Sequence, residues 1–188
     1  VVNELLPIII PSQPDTELWD EANEIFIPVK GMKEQKLQLE HSLIALSKWE
    51  SKWCVPFYGN KELTTEETLD YIRCMTINNN VDPRAYSYLT RDMINDIYQY
   101  VYAPMTASTV PDERGKSTGE QITSELIYYW MIACGIPFEC EKWHLNRLIM
   151  LIRICNFKNS DPKKLSANEL RSKYASINAA RRKKYGKH

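Results

Sequence analysis

Three groups of residues in this chain have types and spacings that could do chemistry. Arg114-Gly115-Lys116-Ser117-Thr118-Gly119 invites comparison with a phosphate-binding loop, whose backbone amides wrap the phosphates. The first glycine of that pattern belongs five residues ahead of Gly115, where the chain has Val110, and no strand-like run precedes it, so a polar loop is the better reading. Cys134, Cys140 and His144 suggest zinc ligands, with Cys54 or His41 as a distant fourth, but the spacing matches no zinc-finger pattern. Thiols buried in helical cores are far commoner. Cys140, His144 and Asn146 also supply the types of a nucleophile, a base and an orienting amide. Only Cys140 and His144, at i and i+4, share a helix face, and nothing near them in sequence lowers the thiol pKa. His144 therefore reads first as a hydrogen-bonded residue at a helix boundary. No enzyme activity, metal or cofactor is expected.

The elements that must position these residues come from a chain of 188 residues, enough for one domain with a real core. Its formal net charge is zero with 26% charged residues, which gives no global reason to expect a nucleic-acid or membrane partner. The distribution is uneven. Residues 161–188 hold nine Lys or Arg against two acidic residues, so the tail is basic by about seven charges and the remainder acidic by as much. Five cysteines, most in apolar helical patterns, point to a reducing compartment rather than a disulfide framework. The longest apolar run, 126–138, is too short to cross a bilayer. Residues 1–14 have no basic start and are broken by Pro7, Pro11 and Pro14, so no signal peptide is expected.

The β-branched, proline-punctuated runs 5–11 and 25–29, with turn chemistry at Asp20-Glu21-Ala22-Asn23, predict an N-terminal β-hairpin. A helical period follows from Lys36 through Leu39, Leu43, Leu46 and Trp53 and stops before Pro56. Thr64 with Glu67 forms a capping box for a helix over 66–77, and a third helix is expected over 90–102. Residues 104–119 read as a long surface loop. Thr118 with Gln121 is expected to cap a helix ending at Gly135, and Pro137 to open one running to about Asn156. Ser166 with Glu169 opens a basic final helix expected to fray after Ala180. The fold class is thus mainly α: an N-terminal β-hairpin arm over 1–35, a bundle of about five to six helices with its core over 36–160, and a basic C-terminal helix or tail over 161–188.

Six segments, 41–53 (HSLIALSKWESKW), 70–75 (DYIRCM), 125–131 (ELIYYWM), 137–139 (PFE), 143–148 (WHLNRL) and 178–182 (NAARR), resemble a family of small proteins of long-tailed bacteriophages. The likeness covers most of the chain from about Leu37 onward, and the block around Trp143 is its most specific part. It implies a tail assembly chaperone working in the cytoplasm of the bacterial host. Such proteins keep the tape-measure protein soluble while the major tail protein polymerises around it, and they are absent from the finished particle. The resemblance carries no catalytic residues. Partner binding is expected from Trp143, His144, Asn146 and Arg147, and from the tail through Lys163, Lys164, Arg181 and Arg182; aromatic residues and arginine are the usual hot-spot types. Self-association is left open, and no membrane partner is expected. The competing reading is a structural protein of the tail or neck that stays in the virion, with the β-arm as an inter-subunit clasp.

Overall fold

The computed structural model describes residues 5–58, 62–110, 121–159 and 167–185. The first four elements are strands: β1 (Leu6–Ile10), β2 (Thr16–Asp20), β3 (Ile25–Val29) and β4 (Gln35–Leu39). β2 and β3 form the hairpin, while β1 pairs with β4. Leu6 faces Leu39, Gln13 faces Met32 and Asp20 faces Ile25, so each step of seven along one strand is matched by seven along the other. The two pairs follow one another along the same two arms of a ribbon, but not as one unbroken ladder. Gln13 and Met32 exchange both backbone bonds, whereas Pro7–Gln38 and Pro28–Glu17, an even number of steps to either side, cannot, so the alternation of bonded and non-bonded couples is interrupted on both sides of that bridge.

A hairpin is therefore present, but not between the runs expected. The segment 5–11 finds its partner in Gln35–Leu39, residues that the leucine spacing had assigned to a helix. The architecture is mixed α/β rather than a purely helical bundle behind an arm, and the arm boundary at residue 35 falls within the ribbon. The turn 21–24 is closed by Asp20, whose carboxylate accepts from the Ala22 backbone N–H at 3.0 Å and from Asn23 Nδ2 at 2.8 Å. Midway along, Gln13 and Met32 exchange backbone hydrogen bonds at 2.7 and 3.0 Å. Gly31 lies against the opposite strand there: a Cβ on it would stand 2.3 Å from the Gln13 carbonyl oxygen, so only glycine fits without moving backbone.

Behind the ribbon come α1 (Leu43–Trp53), α2 (Thr65–Met75), α3 (Arg91–Tyr102), α4 (Ser124–Ala133), α5 (Leu145–Asn159) and α6 (Ala167–Tyr185), with 3-10 turns at Pro83–Tyr88 and Phe138–Lys142. The capping box at Thr64 and Glu67 is present, and Thr90 caps α3. Thr123, not Thr118, caps α4, and Thr118 lies outside the described residues. The helix expected from Pro137 is split into a 3-10 turn and α5. The final helix runs to Tyr185, past the expected fraying point, while Ser166 lies outside the described residues.

The core gathers the inward row of the near ribbon (Ile8, Ile10, Leu37, Leu39) with Leu43, Leu46 and Trp49 of α1 and with Ile127, Met131, Leu145 and Leu148. Burying each such side chain contributes roughly 1.5–3 kcal/mol. Two polar side chains of α1 inside it bond to other elements. Trp49 Nε1 donates to the Glu67 carbonyl at 2.9 Å, and the buried Glu50 carboxylate accepts from the backbone N–H groups of Phe57 and Ser124 at 2.9 and 2.7 Å. Through Glu50, α1 holds the first turn of α4.

Candidate partner-binding surfaces

Most of the block around Trp143 works inward. His144 is buried, and its Nε2–H donates to the Tyr100 carbonyl at 3.0 Å. Its ring lies edge-on to His41, centroids 4.9 Å apart, and to Tyr100 at 5.0 Å. The backbone N–H of Leu145 donates to the His41 carbonyl at 2.8 Å. The His41 N–H donates to Tyr100 Oη at 3.1 Å, and His41 Nδ1 lies 2.7 Å from Tyr71 Oη. Asn146 Nδ2 donates to the carbonyls of Val101 and Ala103 at 2.9 and 2.8 Å. These bonds tie the start of α5 to the end of α3, to α2 and to the junction between β4 and α1. Burial, with His144 alongside, pushes the His41 pKa down to about 3, so its imidazole is neutral.

Of the eight residues expected to touch a partner, His144 and Asn146 are thus turned to structural work. Trp143 and Arg147 are half-buried, with the Arg147 guanidinium 4.2 Å over the indole. Arg181 and Arg182 are exposed on α6; Arg181 Nη1 donates to the Ala107 carbonyl at 3.4 Å and to Thr109 Oγ1 at 2.9 Å, pinning the 104–110 segment. Lys163 and Lys164 lie outside the described residues, as does the 114–119 motif. The five cysteines are free thiols, and burial pushes Cys140 up, opposite to what a thiolate nucleophile needs. Among the described residues no group of three or more His, Cys, Asp or Glu is placed to hold a metal ion. None of the described helices is long and apolar enough to cross a membrane.

The exposed apolar surface lies elsewhere. On the hairpin of β2 and β3, Leu18 and Phe26 are each 63% exposed and Trp19 49%, with Ile25 and Ile27 also open. The Trp19 and Phe26 rings touch across the strands, centroids 4.9 Å apart, on one face, while Leu18 and Ile27 oppose each other on the other. Both faces are apolar, and neither is covered by a described helix. A second site is the outer side of α4, where Tyr129 and Ile132 stand open near Phe138, whose ring lies 6.2 Å from Tyr128. A third is a slot of about 40 Å³ whose lining includes Phe57, Leu63, Ile94 and the stacked pair Tyr98 and Tyr102.

Sequence reasoning named Trp143 and its neighbours for partner binding and the β-arm as an alternative inter-subunit clasp, but did not single out the open side chains of Trp19 and Phe26. The available signal was Trp19, large and apolar between the acidic Glu17 and Asp20 in a segment with no helical period. No family model, curated protein or solved structure matches the chain.

Proposed function

We propose that this chain is a tail assembly chaperone of a long-tailed bacteriophage, acting in the host cytoplasm without enzymatic activity. It would bind the tape-measure protein and keep it soluble while the major tail protein polymerises. The resemblance of the six segments supplies the biological assignment. The observation that carries the binding role is the hairpin of β2 and β3, which holds five large apolar side chains open to solvent. A chain that acts alone has little reason to keep such a patch exposed, and a chaperone for an apolar client requires one. Trp143 with Arg147, and the outer side of α4, give further apolar and aromatic contact area.

A second reading is favoured by the same ribbon. An exposed two-stranded arm is also how a structural tail or neck protein would clasp its neighbour in the virion. Co-expression with the tape-measure protein, followed by pull-down and mass spectrometry of finished particles, separates the two. The chaperone gives a soluble complex and no copy in the particle. Stoichiometric copies in the particle would make the chain a structural component.

A further inference from the structure

The outer edges of the β2 and β3 hairpin are not equivalent. In an antiparallel ladder a hydrogen-bonded couple exchanges both N–H groups, so a proline fits only a non-bonded couple, whose backbone groups point outward. Pro28 lies opposite Glu17. The same parity turns the backbones of Glu17 and Trp19 outward from β2, and those of Phe26 and Pro28 outward from β3. The β3 edge is defective as a template: Pro28 has no N–H, and the Lys30 carbonyl just beyond is taken by Arg84 Nη1 at 2.6 Å. On β2 both Glu17 and Trp19 keep an N–H and a carbonyl to offer.

Charge selects what can use that edge. Residues 15–29 hold five acidic side chains, Asp15, Glu17, Asp20, Glu21 and Glu24, and no Lys or Arg. A second copy pairing β2 on β2 would double that charge within one small sheet, whereas a basic strand would be drawn to it. The apolar side chains on both faces would cover a third strand laid along β2. We propose that the outer edge of β2 is a docking strand for an extended segment of a partner protein that carries Lys or Arg beside large apolar residues. This rests on the reading of the ribbon as a partner-binding arm, and it adds the edge, the backbone conformation and the charge of what binds.

The test uses the full chain and two synthetic peptides, one alternating lysine with valine and one with glutamate in place of lysine, with binding read by fluorescence anisotropy of the dye-labelled peptides. The lysine peptide should bind, more weakly as salt is raised, and the glutamate peptide should not. Glu17→Pro copies on β2 the defect that Pro28 gives β3 and should weaken binding about tenfold or more, through a lost backbone hydrogen bond and a lost charge. Glu17→Gln keeps the N–H and should lose only about two- to threefold. Slow amide exchange at Leu18 and Asp20, whose N–H groups point inward, checks that each variant keeps its hairpin.

Equal binding of both peptides, or of the lysine peptide to wild type and Glu17→Pro, would overturn the proposal. A wild-type dimer that Glu17→Pro disperses, without peptide binding, would overturn it in favour of a second copy. Failure here is distinct from failure of the chaperone reading. A Glu17→Pro chain that still keeps the tape-measure protein soluble sinks the edge alone; lysine-peptide binding by a chain that never holds the tape-measure protein sinks the chaperone alone.

Discussion

The near and far halves of the ribbon share one strand register and a similar apolar content, yet they end in opposite environments. In the near half, Ile8, Ile10, Leu37 and Leu39 are buried against the helices, and residues 75–78 cover the outer edge of β4 through hydrogen bonds between Glu40 N–H and the Met75 carbonyl and between Ile77 N–H and the Gln38 carbonyl. In the far half, Leu18, Trp19, Ile25, Phe26 and Ile27 keep much of their surface in water. Strand propensity and cross-strand pairs cannot explain the difference, since both halves have them. What differs is whether a second layer of structure lies on the ribbon. The near half is buried by that layer, and the far half is not.

That contrast can be broken most severely in the near half. Leu37→Ala, at a fully buried position, should cost about 2–5 kcal/mol of unfolding free energy in urea titration. A loss below about 1 kcal/mol would mean that the near ribbon is not part of the core. Next comes the junction of the halves. Gly31→Ala should cost roughly 1–3 kcal/mol, because its Cβ would meet the backbone of Gln13, Pro14 and Asp15. Wild-type stability from this variant would show that the strands do not approach so closely.

The histidine cluster sharpens the comparison through pH. His41, depressed to about 3 in the folded chain, is neutral there, while in the unfolded chain it titrates near 6.5. Between those values the unfolded state binds a proton that the folded state refuses. His41's contribution is therefore complete above about pH 6.5 and is lost as pH falls toward 3, by up to about 1.4 kcal/mol per pH unit. Urea midpoints measured at pH 7 and pH 5 should fall accordingly, and His41→Gln should flatten the slope. The smallest effect belongs to the far half: Leu18→Ala, at an exposed site, should change stability by no more than about 0.5 kcal/mol while weakening partner binding. A loss like that of Leu37→Ala would erase the distinction between the halves.

How much of this was legible depended on the range of the interactions. Local chemistry was readable: Thr64 and Glu67 form the capping box, Thr90 caps α3, and Gly135, with a φ of 64°, follows α4 as a C-terminal glycine should. Where a long-range partner decides, the reading went astray. Leu39, Leu43 and Leu46 keep helical spacing across a boundary where the chain is strand before Glu40 and helix after Ser42, because Leu37 and Leu39 answer to β1, far back in the chain. The start of α4 was set too early since Glu50, distant in sequence, takes the N–H of Ser124. Trp143, His144, Asn146 and Arg147 were recognisable as a motif, but residue types alone could not show that His144 meets His41 and Tyr100 inside the molecule while only part of the block faces outward.

The central claim is that the far ribbon is an arm kept for a partner. Amide hydrogen exchange on the free chain and on its co-expressed complex with the tape-measure protein tests this most directly. The account predicts fast exchange at Glu17 and Trp19 in the free chain and clear protection of both in the complex, with the already slow amides of the near half unchanged. Identical exchange at Glu17 and Trp19 in the free and complexed chains would contradict it.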